Sequence, residues 1–346
     1  MSEAPSSKQA LPLDTGKPSG VGLVSGQAPG QPDGLRQHDV SRQHETLDQT
    51  AVPRQHQASV SQEEPSQHQV PRHSKRQSSW IRRTLADPRA VMGLLAVALV
   101  AALAFLGPFA APHSGTEIVA LPYQKPMPEH PLGTDVLGRD VLSILLLGGQ
   151  GFMIEGFLAA VMGVGIGGFV GIIIGLLSGR LRAALLFSND TVMVVPQILI
   201  VLIVIAAFSA NAITLTAAVA VAQVPYAARV VQAATQKVVH EDYYLAGQMA
   251  GQSRLSLMFR EVLPNIAGPL LVEFGVRLCI SFVVLASLSY LGFSAGAGDW
   301  GQMIHENKGG IAIQPWAVLS PIACISVFLI GMNLLRDRVS NALSGW

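Results

Sequence analysis

The sequence predicts an all-α membrane protein of six spans behind a long polar tail. Three observations predict it. Half of the 346 residues are apolar and only 13% are charged, with a mean hydropathy of +0.41; a soluble domain carries about 25% charged residues. The apolar residues fall into six blocks long enough for a bilayer, which needs about 20 helical residues. Lys and Arg alternate between the connecting segments, rich in one set and sparse in the other.

Residues 1–79 are of different composition. Pro, Ser, Gln, Gly and His dominate, with no helical or strand period. Such a stretch buries too little apolar surface to offset chain entropy, so a disordered tail is expected. Its five histidines, His38, His44, His56, His68 and His73, are irregularly spaced and lack Cys partners, which disfavours a metal site. The tail has no apolar core of the signal-peptide kind. A membrane domain is expected over 80–346.

The expected spans run over 90–111, 156–177, 191–209, 212–228, 266–294 and 315–335. The third holds Pro196 and the fourth Pro225, which neighbouring helices can accommodate. The fifth carries Glu273 and Arg277, spaced for an i,i+4 pair, either lining a pathway or paired with each other. Arg72, Lys75, Arg76, Arg82, Arg83 and Arg89 precede span one, and Arg180 and Arg182 follow span two. Arg229, Lys237, Arg254 and Arg260 follow span four, and Arg336 and Arg338 follow span six. The other segments hold only Lys125, Arg139 and Lys308. The positive-inside rule puts both termini in the cytoplasm.

Within span two, Gly163, Gly167, Gly171, Gly175 and Gly179 recur every four residues. They form one helix ridge for close backbone approach, within the chain or against a partner. Cys279 and Cys324 lie in apolar blocks and make no disulfide framework. The net charge of +1 gives no sign of nucleic-acid binding.

Several enzyme motifs fail on context. Gly163-Val-Gly165-Ile-Gly167-Gly168 fits a dinucleotide pattern but lies inside a span. Gly292-Phe293-Ser294-Ala295-Gly296 fits a nucleophile elbow but follows a membrane helix. His305-Glu306 lacks the second His of a zinc protease, and no phosphate-binding Gly-Lys-Ser/Thr loop is present. No catalytic set, metal site or cofactor site in this chain is expected.

Between spans four and five, residues 241–259 are too long for a connector. Glu241 and Asp242 suit a helix N-terminus. Leu245 and Met249 share a face, Gly251 suits a helix stop and Ser253 a cap. Leu255, Met258, Phe259 and Val262 continue with helical spacing before Pro264. Two short amphipathic helices around a glycine bend are expected, their apolar face resting in a partner groove or on lipid. In the segment between spans one and two, Gly133-Thr134-Asp135 and Gly138-Arg139-Asp140 repeat as turn-like units. They serve either as a brace or as an outer mouth.

These two segments carry a resemblance. Ala246, Gly251 and Leu263-Pro264-Asn265 resemble the cytoplasmic signature of ABC importer permeases, with Leu245 in place of its Glu and Gly247 in place of its second Ala. The stretch His130 to Ser143 is similar to that after the first span in C-type permeases of dipeptide, oligopeptide and nickel importers. Ser289-Tyr290-Leu291-Gly292, Trp300-Gly301, Pro315-Trp316 and Asn333-Leu334-Leu335 resemble later landmarks in the same order. The likeness covers about Trp80–Leu343. One departure is Gln150-Gly151-Phe152, where an Arg-containing step is usual.

The resemblance implies a type I ABC importer permease fold in the bacterial inner membrane. It implies a homologous B-type permease, two ATPases that bind ATP and Mg, and an extracytoplasmic solute-binding protein. Glu241, Asp242, Tyr243, Leu245, Ala246, Gly247, Gly251 and Pro264 would form the ATPase-coupling segment. The transported solute would be a peptide, with a glutathione-like compound or a nickel chelate as alternatives. The residue-level alternative is an ion-coupled secondary transporter, disfavoured by the scarcity of acids within the spans.

Overall fold

The computed structural model describes residues 87–294 and 298–344; the expected disordered tail and its basic residues lie outside them. Among the described residues nine helices carry the fold: α1 (Pro88–Ala110), α2 (Val141–Leu176), α3 (Gly179–Val194), α4 (Gln197–Phe208), α5 (Ala212–Val239), α6 (Asp242–Met249), α7 (Arg254–Tyr290), α8 (Trp300–Asn307) and α9 (Trp316–Ser344). Among the described residues α1, α2, α5, α7 and α9 are each long and apolar enough to span a bilayer.

Span one lies within two residues of expectation. The others begin or end elsewhere because helices do not stop where charge begins. α2 starts at Val141, fifteen residues early, since the Asp140 carboxylate caps it by accepting from Ser143 N at 2.9 Å. α5 runs on past Ala228 to Val239, carrying Arg229 and Lys237. α7 ends at Tyr290, where Gly292 turns the chain with φ 95°. α9 starts at Trp316, one residue after the expected 315, and extends past the expected 335 to Ser344.

The expected third span is not one helix. α3 and α4 meet at 84° across Val195-Pro196. Pro196 has no N–H to continue the helix, and Val195 before it is driven to extended backbone, φ −73° and ψ 125°. The helix also starts at Gly179, twelve residues before Thr191. The bent pair still crosses the bundle. Gly163, Gly167, Gly171 and Gly175 of α2 meet Ala220, Val224, Ala228 and Gln232 of α5 in the same order. The two helices therefore run parallel, and the chain between them must return to its starting level. That return is about 30 Å at 1.5 Å per residue, which the two legs at a right angle just reach.

This register answers the glycine ridge. Cβ atoms at Gly167 and Gly171 would press on the Val224 carbonyl and on Val231 of α5, so four of the five glycines pack within the chain. Gly179 does not belong to the ridge: it opens α3 with φ 68°, and a Cβ there meets nothing within 4 Å.

Between α2, α7, α8 and α9 sits an aromatic core. Phe152 lies 5.4 Å from Phe282 and 5.7 Å from Trp300, and Phe282 stacks edge-on to Phe328 at 4.6 Å. Gly156 leaves the space that Phe282 fills. A second cluster, with Ile172, Val231, Val238, Tyr244, Leu257 and Val262, closes the end of the bundle that bears α6. Arg180, Arg182, Lys237, Arg254, Arg260, Arg336 and Arg338 stand at this same end of the helices.

Candidate functional site

At the α6 end the chain leaves α5 at His240 and folds α6 back with Asp242 in its first turn, where the helix dipole favours an acid. The stop is a Schellman arrangement. Gln252 N donates to Gly247 O at 3.2 Å and Gly251 N to Gln248 O at 3.0 Å, with Gly251 at φ 76°. Ser253 then caps α7, accepting from Ser256 N at 3.2 Å. The expected cap residues and glycine bend are thus where the sequence put them.

The second short helix is a correction. Residues 254–262 are not separate; they are the first turns of α7, continuous to Tyr290. Pro264 ought to end a helix, because its ring displaces an N–H that Arg260 O needs. A π turn over Met258–Val262 absorbs it: Leu263 N reaches Met258 O, and the Asn265 amide donates to Glu261 O at 2.6 Å.

The faces also divide differently from expectation. Tyr244 and Gly247 point inward, with Leu257 so close over Gly247 that a Cβ there would lie 2.6 Å from it. Met258 and Val262 are buried too. Leu245, Met249, Leu255 and Phe259 point out, Met249 with 83% of its surface open. Glu241, Asp242, Tyr243 and Ala246 are on the open side. Burial, with the charges of Glu241 and Glu261, pushes the Tyr243 phenol upward. The segment presents an apolar patch on a packed base.

At the opposite end, the segment between α1 and α2 is a plate locked from below. Thr134, Asp135 and Asp140 are buried. Asp135 accepts from Leu137 N and Arg139 N through one oxygen and from Arg139 Nε at 2.6 Å through the other. Arg139 Nη2 goes on to Glu306 Oε2 at 2.6 Å. Burial pulls the Arg139 guanidinium down, and Asp135 and Glu306 outweigh it, leaving its pKa above the ordinary value. Thr134 donates to Leu121 O and accepts from Gln124 N. Gly133 and Gly138 have φ 74° and 80°, and Cβ atoms there would strike Gln314 and the Ala120 carbonyl. Of the two readings of this segment, brace and mouth, the geometry favours the brace.

Sequence reasoning missed the floor of this plate. Asn307 Oδ1 accepts from Val136 N at 2.9 Å, and Gln314 Nε2 donates to Gln124 O and Leu132 O. Trp300 Nε1 donates to Leu145 O. These residues lie more than 150 positions from their partners, so no local spacing could find them.

Glu273 and Arg277 pair with each other at 2.6 Å and are both buried between α5 and α7. The Arg277 guanidinium lies 5.2 Å from the Tyr226 ring centre. Its carbonyl accepts from Ser281, whose hydroxyl accepts from Gln223 Nε2 at 2.7 Å. The pair is held inside a polar ladder, as charges within spans usually are.

Residues 167–345 match the family model described as binding-protein-dependent transport system inner membrane component. The chain is 30% identical to the dipeptide transport system permease protein of Haemophilus influenzae over 263 residues, 73% of this chain and 89% of that one. It is 31% identical to a peptide transport system permease protein of Escherichia coli, covering 77% of this chain and 93% of the other. The glutathione transport system permease protein of Pectobacterium atrosepticum is 29% identical, over 76% and 88%.

Proposed function

This chain belongs to the family of binding-protein-dependent transport system inner membrane components, and from that premise we propose that it is the C-type permease of a peptide importer driven by separate ATPase chains. It is a multi-pass inner-membrane transport subunit. Its relatives named for dipeptide, peptide and glutathione transport support a peptide-class solute. A nickel chelate has no support of that kind.

The observation that carries the coupling role is the patch of Leu245, Met249, Leu255 and Phe259 on a packed base. Four large apolar side chains left open at the end of a bundle call for a partner. The amphipathic helix-in-groove mode fits α6, two turns long with Tyr244 and Gly247 anchored behind. An ATPase, one on this permease and one on a homologous B-type permease, supplies that groove, and these ATPase chains bind ATP and Mg. An extracytoplasmic binding protein delivers solute at the plate end. The clustered arginines and lysines at the α6 end support a cytoplasmic α6, and with it cytoplasmic termini.

The test is Leu245→Glu with Met249→Glu in the full transporter. The expected result is normal membrane insertion, recovery of the ATPases with the permease reduced at least tenfold, and loss of peptide uptake. Full recovery of the ATPases and normal uptake would overturn the coupling role.

A further inference from the structure

Behind α6 lies a cavity of about 260 Å³ that neither the docking patch nor the plate uses. Its walls come from the ends of α2 and α5, the first turn of α3, α6 and the start of α7. They carry two arginines, Arg182 and Arg254, and no acid. Ser178 and Tyr244 add hydroxyls, and Gln236 and Gln248 add amides.

The cavity opens to the surface: Ser178, His240, Gln248 and Arg254 are exposed, Arg182 and Gln236 half-buried. Tyr244 is 2% exposed, so its ring is fixed, yet among the described residues its hydroxyl has no hydrogen-bond partner. Ser178 stands at the N-cap of α3 but makes no side-chain cap bond. Arg182 and Arg254 have no ion-pair or hydrogen-bond partner among the described residues. The plain reading is that the arginines complement the C-terminal dipoles of α2 and α5. A dipole attraction needs no hydrogen bond, so it accounts for where the arginines stand, but not for the polar hollow that they share with no acid. It also says nothing of Tyr244, a buried ring whose hydroxyl keeps some open surface at the cavity wall.

Two cations beside several donors, with no acid in the lining, favour an anion over water. Two guanidinium groups suit the oxygens of a phosphate, which they bind bidentately. The first turn of α3, whose N–H groups have no acceptor within the helix, begins at the same wall. We propose that this cavity binds a phosphate group, the headgroup of an anionic phospholipid or a free phosphate. Basic cavities between spans at a membrane surface take lipid headgroups. The lipid source has an added argument: α3 buries none of its residues, and Leu181 and Leu185, flanking Arg182, are open to acyl chains. The occupant would tie the back of α6 to the membrane surface. The assignment needs only that the chain crosses a bilayer, and not that α6 docks an ATPase.

The experiment titrates the full-length chain, purified with its co-expressed transporter subunits, against phosphatidylglycerol by native mass spectrometry. Phosphatidylcholine is the control, and inorganic phosphate is followed by thermal shift. Expected is a saturable phosphatidylglycerol adduct, weakened at least tenfold by Arg182→Gln with Arg254→Gln and severalfold by Tyr244→Phe. Phosphatidylcholine binding is expected to stay the same. Tyr244→Phe keeps the packed ring, so the test survives if the double variant fails to fold. A phosphate-induced shift lost in the variants, without lipid preference, supports the site with a soluble source. Equal binding of both probes by wild type and variants overturns the proposal. So does a loss confined to ATPase recovery, which would make the arginines contacts for a partner carboxylate and leave the docking role standing.

Discussion

Gly251 sits at φ 76° with open space where a Cβ would go, so any penalty at this position is backbone strain alone. An L-residue in the left-handed region costs about 1–2 kcal/mol, and Asn tolerates it best after Gly. Gly251→Asn is expected to retain ATPase recovery and peptide uptake. Gly251→Val, β-branched, is expected to unmake the α6 stop and lower both severalfold while insertion persists. Equal uptake in the two variants would show that the bend angle is irrelevant to transport. Asp135 is the opposite case, a residue whose contacts are its whole role. It is fully buried and holds Arg139 and two backbone amides. Breaking a buried pair costs roughly 3–5 kcal/mol. Asp135→Ala is therefore expected to lower the melting temperature in detergent clearly, even with Glu306 left to hold Arg139. An unchanged melting temperature would argue against the brace.

At the level of the element, α2 separates glycines that touch from glycines that do not. A methyl at Gly171 would meet the Ala228 carbonyl and Val231, whereas at Gly165 it meets nothing within 4 Å. Gly171→Ala is expected to destabilise by about 1–3 kcal/mol through overpacking. Gly165→Ala is expected to be neutral or slightly stabilising, as Ala suits a helix interior better. Melting of the purified variants checks both, and the same shift in each would dissolve the ridge. The four-residue spacing was plain in the sequence; its partner was not, because α5 shows no matching glycines. Cap signals at Ser253 and Gly251 were equally readable, since a turn residue acts on its own neighbours; the cap at Asp140 was passed over as part of a turn. Helix lengths were less so. Uncharged runs mark what lipid tolerates, whereas α2 and α5 continue into regions where protein satisfies polar groups. Pro196 and Pro264 look alike in sequence, yet one breaks a helix and the other does not. Their difference lies in whether the preceding turns relax to a π turn, which tertiary packing decides.

For the whole molecule, parallel α2 and α5 fix the path of everything between them. In a background of Cys279→Ala and Cys324→Ala, a cysteine at Arg180 and one at Asn211 are expected to react with a membrane-impermeant thiol reagent from opposite sides. Labelling of both from the same side would mean that α3 and α4 form a re-entrant loop, and the parallel register would then be wrong. The chain's long-range ties, such as Arg139 to Glu306 and Val136 to Asn307, cross from one half of the sequence to the other. A single sequence holds no local mark for them.

The continuity of α7 has a mechanical meaning. Its 37 residues make a rod of about 55 Å, with its foot beside the apolar patch and its head beside α8. A tilt of about 5° at the foot swings the head by roughly 5 Å at that rise per residue. Two separate helices joined by a loose joint would have spent such a swing in the joint. The turns that can yield, the π turn before Pro264 and the one that Pro269 leaves short of a hydrogen bond, both lie in the half nearer the foot, where yielding would waste the least of such a swing.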